Sequence, residues 1–179
     1  MGASSDLVLA KDADTAVVFD FESVFAHDYA AITRLIARVI RDHGRAEELA
    51  VETFWRLWKT PSAHGDAARG WLRRTAVRLA IDELRRQARR LRYEWLWRFG
   101  DAPQPPDEIF LTTEEQGRVR AVLAAMPKRD AELLLLRSDD MSYEELAAAL
   151  SIHAASLGTL LSRAKQAFRK EYVKRYGEQ

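Results

Sequence analysis

Residues 142–169 constrain the fold more than any other stretch, because they predict two short helices joined by a tight turn. Ser142 is placed to cap the first helix, and Glu145 follows three residues later, as a capping box requires. A break at Ser151-Ile152 separates the two helices. The second helix has an apolar stripe at positions i, i+4, i+7 and i+11, formed by Leu157, Leu161, Ala164 and Phe168.

The opposite face of this second helix is polar near its start and basic toward its end. Small polar side chains followed by cations suit a helix that enters the major groove of DNA while its cations contact phosphates. The arrangement is that of a helix-turn-helix with the recognition helix second. An amphipathic helical hairpin without any DNA fits equally well, so both interpretations stay open here. The outward residues are Ser156, Thr159, Ser162, Arg163, Gln166 and Lys170.

The composition predicts an all-α, folded protein. The 179 residues include only five prolines and eight glycines, and 47 % of them are hydrophobic and 31 % charged. The chain has no cysteine, which excludes disulfides, thiolate catalysis and cysteine-ligated zinc and is compatible with a reducing cytoplasm. No apolar run approaches the roughly 20 residues of a membrane span. We therefore expect a cytoplasmic protein without membrane insertion.

The net charge of +1 hides a strong asymmetry along the chain. Residues 1–23 have a net charge of −4 and residues 93–117 one of −5, whereas residues 24–92 carry +7 and residues 118–179 carry +3. Two basic blocks separated by an acidic bridge indicate two polyanion-binding modules on one chain.

Helical periodicity and breaker residues divide the chain into four parts. Residues 1–18 are expected to form an acidic tail, and residues 19–92 a three-helix domain whose first helix ends at Gly44. Residues 93–113, with three prolines, are expected to form an acidic linker. Residues 114–179 then form a helix-turn-helix bundle. The predicted helices are 21–43, 46–58, 67–92, 114–125, 128–137, 142–150 and 153–175.

The third predicted helix is rich in arginine. Residues 68–92 contain nine cations and two acids. This excess of positive charge is larger than expected for a solvent-exposed surface that binds no partner. Trp71 and the aromatics at 93–99 offer stacking surfaces for unpaired bases, as in single-strand binding. A long solvated helix is the alternative interpretation.

The segment AEELAVETFWRLW, at 46–58, combines acids with aromatics at helical spacing. Phe54, Leu57 and Trp58 are most simply core residues. A projecting Trp55 beside acidic side chains would suit docking on a basic partner, since aromatics dominate binding at interface centres.

Enzyme signatures are absent from the sequence. It contains no glycine-rich phosphate loop, no HExxH and no GxSxG. Four scattered histidines and adjacent acidic pairs make poor ligand or catalytic sets. We expect no enzyme activity, no cofactor and no metal. The histidines are His27, His43, His64 and His153.

Three blocks of sequence, in this order, resemble the extracytoplasmic-function class of bacterial RNA polymerase sigma factors. They are AEELAVETFWRLW, GWLRRTAVRLAIDELRRQARR and MPKRDAELLLLRSDDMSYEELAAALSIHAASLGTLLSRAKQAF. The resemblance spans about Phe21 to Arg169. It implies a sigma-2-like three-helix domain and a sigma-4-like helix-turn-helix domain, and as partners core RNA polymerase, promoter DNA (duplex and melted) and an anti-sigma factor.

The resemblance also implies three sets of site residues. Those expected to bind polymerase are Glu47, Glu48, Glu52, Phe54, Trp55 and Trp58. Those expected to bind the −10 element are Trp71, Arg73, Arg74, Arg78, Asp82, Arg85, Arg86 and Arg89. Those expected to bind the −35 element are His153, Ser156, Thr159, Ser162, Arg163, Lys165 and Arg169.

The chain departs from the family pattern at a few of these positions. Arg78 stands where asparagine is frequent, and Ser151 stands where the turn usually has glycine. Gly158 and Leu160 replace two frequent cations of the recognition helix. We therefore expect weaker −35 contacts and more dependence on tethering to polymerase.

Two other functions fit parts of the sequence. One is a helix-turn-helix regulator that acts as a dimer without docking on polymerase. The other is a helical adaptor that binds a protein and no DNA, for which charge reversal at Arg85, Arg86, Arg163 and Lys165 would be harmless.

Overall fold

The structure, a computed structural model, describes residues 19–99 and 115–177. All regular elements in these two ranges are helical, as the composition predicts. The predicted tail at 1–18 and residues 100–113 of the predicted linker lie outside the described residues. The helices are α1 (Phe21–Ile40), α2 (His43–Trp58), α3 (Ala68–Phe99), α4 (Glu115–Ala125), α5 (Lys128–Arg137), α6 (Tyr143–Leu150) and α7 (Ala154–Tyr176).

Helices α1, α2 and α3 form the first module, a three-helix bundle. The break between α1 and α2 comes earlier than predicted, so the expectation that Gly44 ends the first helix is wrong. Arg41 adopts a left-handed conformation, with φ of 55°, and its N–H donates to Ala37 O. The Asp42 side chain then accepts from the Arg45 N–H at 2.9 Å and caps α2. This cap starts α2 at His43.

Helix α3 continues to Phe99, so residues 93–99 belong to a helix and not to the predicted linker. The physical reason lies in the residues themselves. The stretch YEWLWRF contains no proline or glycine, and the first breaker is Gly100. Before α3, the predicted loop contains two short 3₁₀ turns, Pro61–Ala63 and Gly65–Ala67.

Helices α4 to α7 form the second module. The predicted capping box is confirmed: the Glu145 N–H donates to Ser142 Oγ at 3.1 Å, and the Ser142 N–H donates to Glu145 Oε2 at 2.8 Å. Ser151 is left-handed, with φ of 56° and ψ of 48°, and ends α6. The axes of α6 and α7 differ by 87°, close to the angle usual between helix-turn-helix helices.

The two modules pack against each other through α3. Helices α1 and α2 contact one side of α3, while α4, α5 and α6 contact another. Buried side chains of both modules form one continuous hydrophobic cluster. Because α3 has neighbours on several sides, its buried residues surround much of the helix, among them Leu72, Val77, Ile81 and Leu84.

Among the described residues, no single helix has the length and apolar content needed to cross a membrane.

Candidate nucleic-acid and protein interfaces

Helix α2 presents an exposed apolar stripe. Val51, Trp55 and Trp58 follow one another at i, i+4 and i+7, and their exposed fractions are 52 %, 52 % and 60 %. The Lys59 ammonium lies 3.8 Å from the centre of a Trp55 ring. Large apolar side chains left in water on one helix face mark a surface for a protein partner.

Acidic side chains flank this stripe. Glu48 accepts from Arg45 and raises the pKa of that guanidinium. Glu52 accepts from Arg56 Nη2 at 2.6 Å. Glu47 lies at the surface within 3.3 Å of the His43 ring nitrogen. The face is therefore apolar at its centre and acidic at its edge.

Phe54 and Trp58 are each predicted both as core residues and as members of the polymerase-binding set, and the core prediction is confirmed for Phe54 but wrong for Trp58. Phe54 is only 1 % exposed and packs edge-on against Phe25 at a centroid distance of 4.9 Å. It stabilises the bundle and presents no surface to a partner, which corrects its assignment to the polymerase-binding set. Trp58, predicted as core, is exposed because it lies one residue beyond the buried Leu57. Val51, missing from the predicted set, completes the stripe, and its spacing from the two tryptophans is the signal for it.

Most of the residues predicted to bind −10 DNA form a second stripe, along α3. Successive members are three or four residues apart, so they occupy one face of the helix. Trp71 is half-buried and packs against the core, whereas Arg89 is exposed. We call this set the α3 stripe: Trp71, Arg74, Arg78, Asp82, Arg85 and Arg89.

The centre of the α3 stripe contacts the second module. Glu132 of α5, only 4 % exposed, accepts from Arg74 Nε at 3.0 Å and from Arg78 Nε at 2.9 Å. The Arg74 Nη1 group also donates to the carbonyl of Ala149, near the end of α6, at 3.1 Å.

Farther along the stripe, Arg85 and Asp82 make further contacts with the second module. Arg85 donates to the carbonyls of Ala124 and Met126 at 3.2 and 2.7 Å. These carbonyls lie at the C-terminal end of α4, where unpaired oxygens and the helix dipole favour a cation. Asp82 accepts from Lys128 Nζ at 2.6 Å.

Arg73 and Arg86, also predicted to bind −10 DNA, lie off the stripe. Arg73 Nε is 3.2 Å from Asp139 of the second module, which also accepts from Arg38 of α1. Arg86 Nη1 donates to Glu83 at 2.9 Å, within α3 itself. The predicted set is therefore not confined to one face of α3.

The residues predicted to bind −35 DNA lie together on the outside of α7. Leu157, Leu161 and Ala164 are buried, as the apolar stripe predicts. His153 precedes α7 as its cap residue and is exposed. The members of the −35 set on α7 itself are all exposed: Ser156, Thr159, Ser162, Arg163, Lys165 and Arg169.

Sequence reasoning missed Glu132, Lys128 and Asp139 as partners of the first module. Glu132 stands 54 and 58 residues after its two arginines. No local pattern links positions so far apart, and a single sequence offers no other signal for the pairing.

Comparison with known families agrees with this two-module architecture. Residues 24–90 match the family described as Sigma-70 region 2. Residues 116–168 match the family described as Sigma-70 region 4. The first match covers most of the three-helix bundle, including the exposed stripe of α2 and the α3 stripe. The second match covers most of the helix-turn-helix module.

Several curated relatives are sigma factors. The ECF RNA polymerase sigma factor SigE of Mycolicibacterium smegmatis is 26 % identical over 171 residues, 92 % of this chain and 66 % of that protein. This chain thus spans slightly less than two thirds of that relative. The ECF RNA polymerase sigma factor SigK of Mycobacterium bovis is 28 % identical over 159 residues, 83 % of this chain and 82 % of SigK.

A similar solved structure is that of the sigma factor RpoE in complex with the anti-sigma factor NepR from Bartonella quintana. The similarity covers 86 % of this chain and 97 % of that one, with 18 % identity and a TM-score of 0.48.

Proposed function

This chain belongs to the extracytoplasmic-function class of the bacterial sigma-70 family, and we propose that it binds core RNA polymerase and directs transcription initiation at promoters. The observation behind this proposal is the presence of both sigma-70 regions in one chain, region 2 before region 4. A DNA-binding dimer that ignores polymerase is not favoured, because a helix-turn-helix regulator has no need of region 2. The protein works in the cytoplasm and has no catalysis of its own, since polymerase supplies the chemistry.

In this proposal the α2 stripe docks on polymerase. The α2 stripe consists of the exposed apolar residues Val51, Trp55 and Trp58. The acidic residues that flank it are Glu47, Glu48 and Glu52. A central aromatic cluster surrounded by charges is the arrangement in which a few residues dominate binding energy. The acidic edge predicts a basic complement on the polymerase.

The arginines of α3 hold the −10 element and its melted strand. Unstacking a base costs a few kcal/mol, and this cost is smallest in A·T-rich sequence. Arginine contacts to the backbone offset that cost, and they predict strong salt dependence of promoter binding.

The exposed face of α7 reads the −35 element. Ser156 and Thr159 are short side chains near the N-terminal end of the helix, where recognition helices contact base edges. Arg163, Lys165 and Arg169 follow them and suit phosphate contacts. Membership of the class also implies an anti-sigma factor as a regulatory partner.

Co-elution with core polymerase tests the docking step. Replacing Trp55 and Trp58 together with alanine should abolish co-elution and promoter-specific transcripts, because the centre of the stripe is lost. Trp97, which is 92 % exposed and lies at the far end of α3, provides the matched control. The variant Trp97→Ala should co-elute with core polymerase like the unaltered protein. Equal co-elution of all three proteins would contradict the proposed docking surface, and a stable dimer that binds palindromic DNA without polymerase would favour the alternative function.

A further inference from the structure

The C-terminal end of α3 carries two exposed aromatic rings, one helical turn apart. Tyr93 and Trp97 have exposed fractions of 64 % and 92 %. Both rings line a cleft of about 580 Å³, which we call the ring cleft. The other residues that line it are Arg90, Glu94 and Arg98. Two large rings exposed side by side form an apolar patch, and such a patch marks a binding surface.

The spacing of the two rings suits one flat guest. Residues at i and i+4 are neighbours on one face of a helix, and their backbones differ by about 6 Å along the axis. Stacked bases in DNA are about 3.4 Å apart, so a base between two rings needs roughly 7 Å. Because both rings are exposed, their side chains can rotate to supply the difference. The ring cleft therefore has room for one base between Tyr93 and Trp97.

The charge around the ring cleft favours a nucleic acid over a second copy of this chain. Arg90 and Arg98 border the cleft. Glu94 is the one acid among the described residues that line it, and it accepts from Arg90 Nε at 2.8 Å. Aromatic rings beside cations are the combination that binds single strands, since the rings stack on bases and the cations contact phosphates. A second copy would place its own arginines against these and be repelled.

The ring cleft also continues the surface predicted to bind promoter DNA. Arg89, the last residue of the α3 stripe, directly precedes Arg90 of the cleft. From Arg89 to Trp97 the helix rises by about 12 Å, which is the length of three to four nucleotides at roughly 3.4 Å each. A DNA strand that contacts the end of the α3 stripe can therefore reach the ring cleft along the same helix.

We propose that the ring cleft binds one unpaired base of the melted promoter strand, stacked between Tyr93 and Trp97, while Arg98 contacts an adjacent phosphate. This inference rests on the proposed function, because it takes a melted promoter as the source of the strand. It adds a base-binding site beyond the predicted −10 set, whose last member is Arg89. Stacking tolerates any base, so the ring cleft holds the strand without reading its sequence.

The test titrates the full chain into single-stranded oligothymidine that contains one central 2-aminopurine, a base whose fluorescence is quenched when it stacks on an aromatic ring. Trp97→Ala and Tyr93→Ala each remove one ring of the cleft, whereas Trp97→Tyr keeps a flat ring. Arg98→Gln removes the cation. Tyr143→Ala is the matched control, because Tyr143 is also exposed and its ring centre lies 5.5 Å from the Arg137 guanidinium, but on another helix.

The parent protein, Trp97→Tyr and Tyr143→Ala should quench the fluorescence, and Trp97→Ala and Tyr93→Ala should not. Each of these two alanine variants should also bind the oligonucleotide about 5- to 100-fold more weakly, because one base–aromatic stack is lost. Arg98→Gln should keep the quenching and lower the salt slope by about 0.7, the value for one phosphate contact with a single strand. Thermal unfolding of every variant should match the parent, since the substituted side chains are exposed.

Three results would overturn the inference: no quenching by the parent protein, quenching that survives Trp97→Ala, or a loss of affinity in Tyr143→Ala as large as in Trp97→Ala. Failure of the proposed function looks different. Quenching as expected, in a protein that never associates with core polymerase, would support the ring cleft and refute the proposed function. A protein that directs initiation with core polymerase but does not quench would refute the ring cleft alone.

Discussion

Helices α3 and α7 carry similar chemistry but lie in opposite surroundings. Both are long, basic and predicted to bind promoter DNA. The cations of α7 project away from its buried stripe, whereas Arg74, Arg78 and Arg85 of α3 are bound to the second module. A basic helix therefore does not reveal from its sequence whether its cations face water, nucleic acid or another part of the same chain.

The difference follows from where each helix lies in the fold. Helix α7 is at the edge of its module and packs mainly on α4, α5 and α6, so one face stays free. Helix α3 is central and contacts helices of both modules. The cations of α7 are exposed because that helix lies at an edge. The cations of α3 bond the second module because that helix lies at the centre.

The largest predicted effect on stability distinguishes the buried residues of α7 from its exposed, DNA-contacting residues. Leu157→Ala should lower the free energy of unfolding by about 2–5 kcal/mol, because Leu157 is fully buried and its loss leaves a cavity. Thr159→Ala, two residues away and exposed, should change stability by less than about 0.5 kcal/mol and weaken binding to −35 DNA. Urea denaturation measures the stability of both variants, and titration with a −35 duplex measures their DNA binding. Similar losses of stability in both variants would contradict the assignment of buried and reading faces.

The next effect compares two arginines of the α3 stripe. Arg85→Ala should destabilise the protein by about 2 kcal/mol, because it removes charge-assisted hydrogen bonds to two helix-end carbonyls. Arg89→Ala, one turn farther along and exposed, should change stability by less than about 0.5 kcal/mol. Thermal unfolding of both variants measures the difference. If Arg89 proved as costly to remove as Arg85, the contact with α4 would not explain the effect.

A smaller effect concerns the turn before α7. Ser151 has φ of 56°, a conformation that glycine adopts without steric cost. Ser151→Gly should therefore raise the free energy of unfolding by about 0.5–1 kcal/mol. Ser138→Gly, at the αR cap of α5, is the matched control and should destabilise instead. Stabilisation by both substitutions would show that the left-handed backbone is not the cause.

The smallest effect on stability is expected from a cation on the free face of α7. Lys165→Ala should leave stability within about 0.5 kcal/mol of the parent. It should lower the salt slope of −35 binding by about 1, because one phosphate contact is lost. Titrations at several salt concentrations measure the slope, and an unchanged slope would remove Lys165 from the phosphate-binding set.

The sequence was sufficient for features that depend on neighbouring residues. The capping box of Ser142 and Glu145, the buried stripe of α7 and the extent of α5 agree with prediction, since each depends on contacts within one or two turns. The start of α2 differs from the prediction because Asp42 caps the helix ahead of Gly44. Helix caps, helix ends and buried stripes can therefore be predicted from residues that are close in the sequence.

Features that depend on distant residues were not predictable in this way. Helical spacing predicts Phe54 as a core residue, but it does not predict its partners, Phe21 and Phe25 of α1, which pack around its ring. The pairing of Glu132 with α3 joins two modules across the segment 100–114. Neither contact leaves a periodic trace in the sequence, and both change what the candidate site presents to a partner.

Run-off transcription with purified core polymerase and fragmented genomic DNA measures whether this protein directs polymerase to promoters. Adding this protein should create a defined set of start sites that share −10 and −35 elements, and adding the Trp55→Ala, Trp58→Ala double variant should not. If transcripts begin at the same positions with and without the protein, it does not direct promoter recognition and the proposed function is wrong.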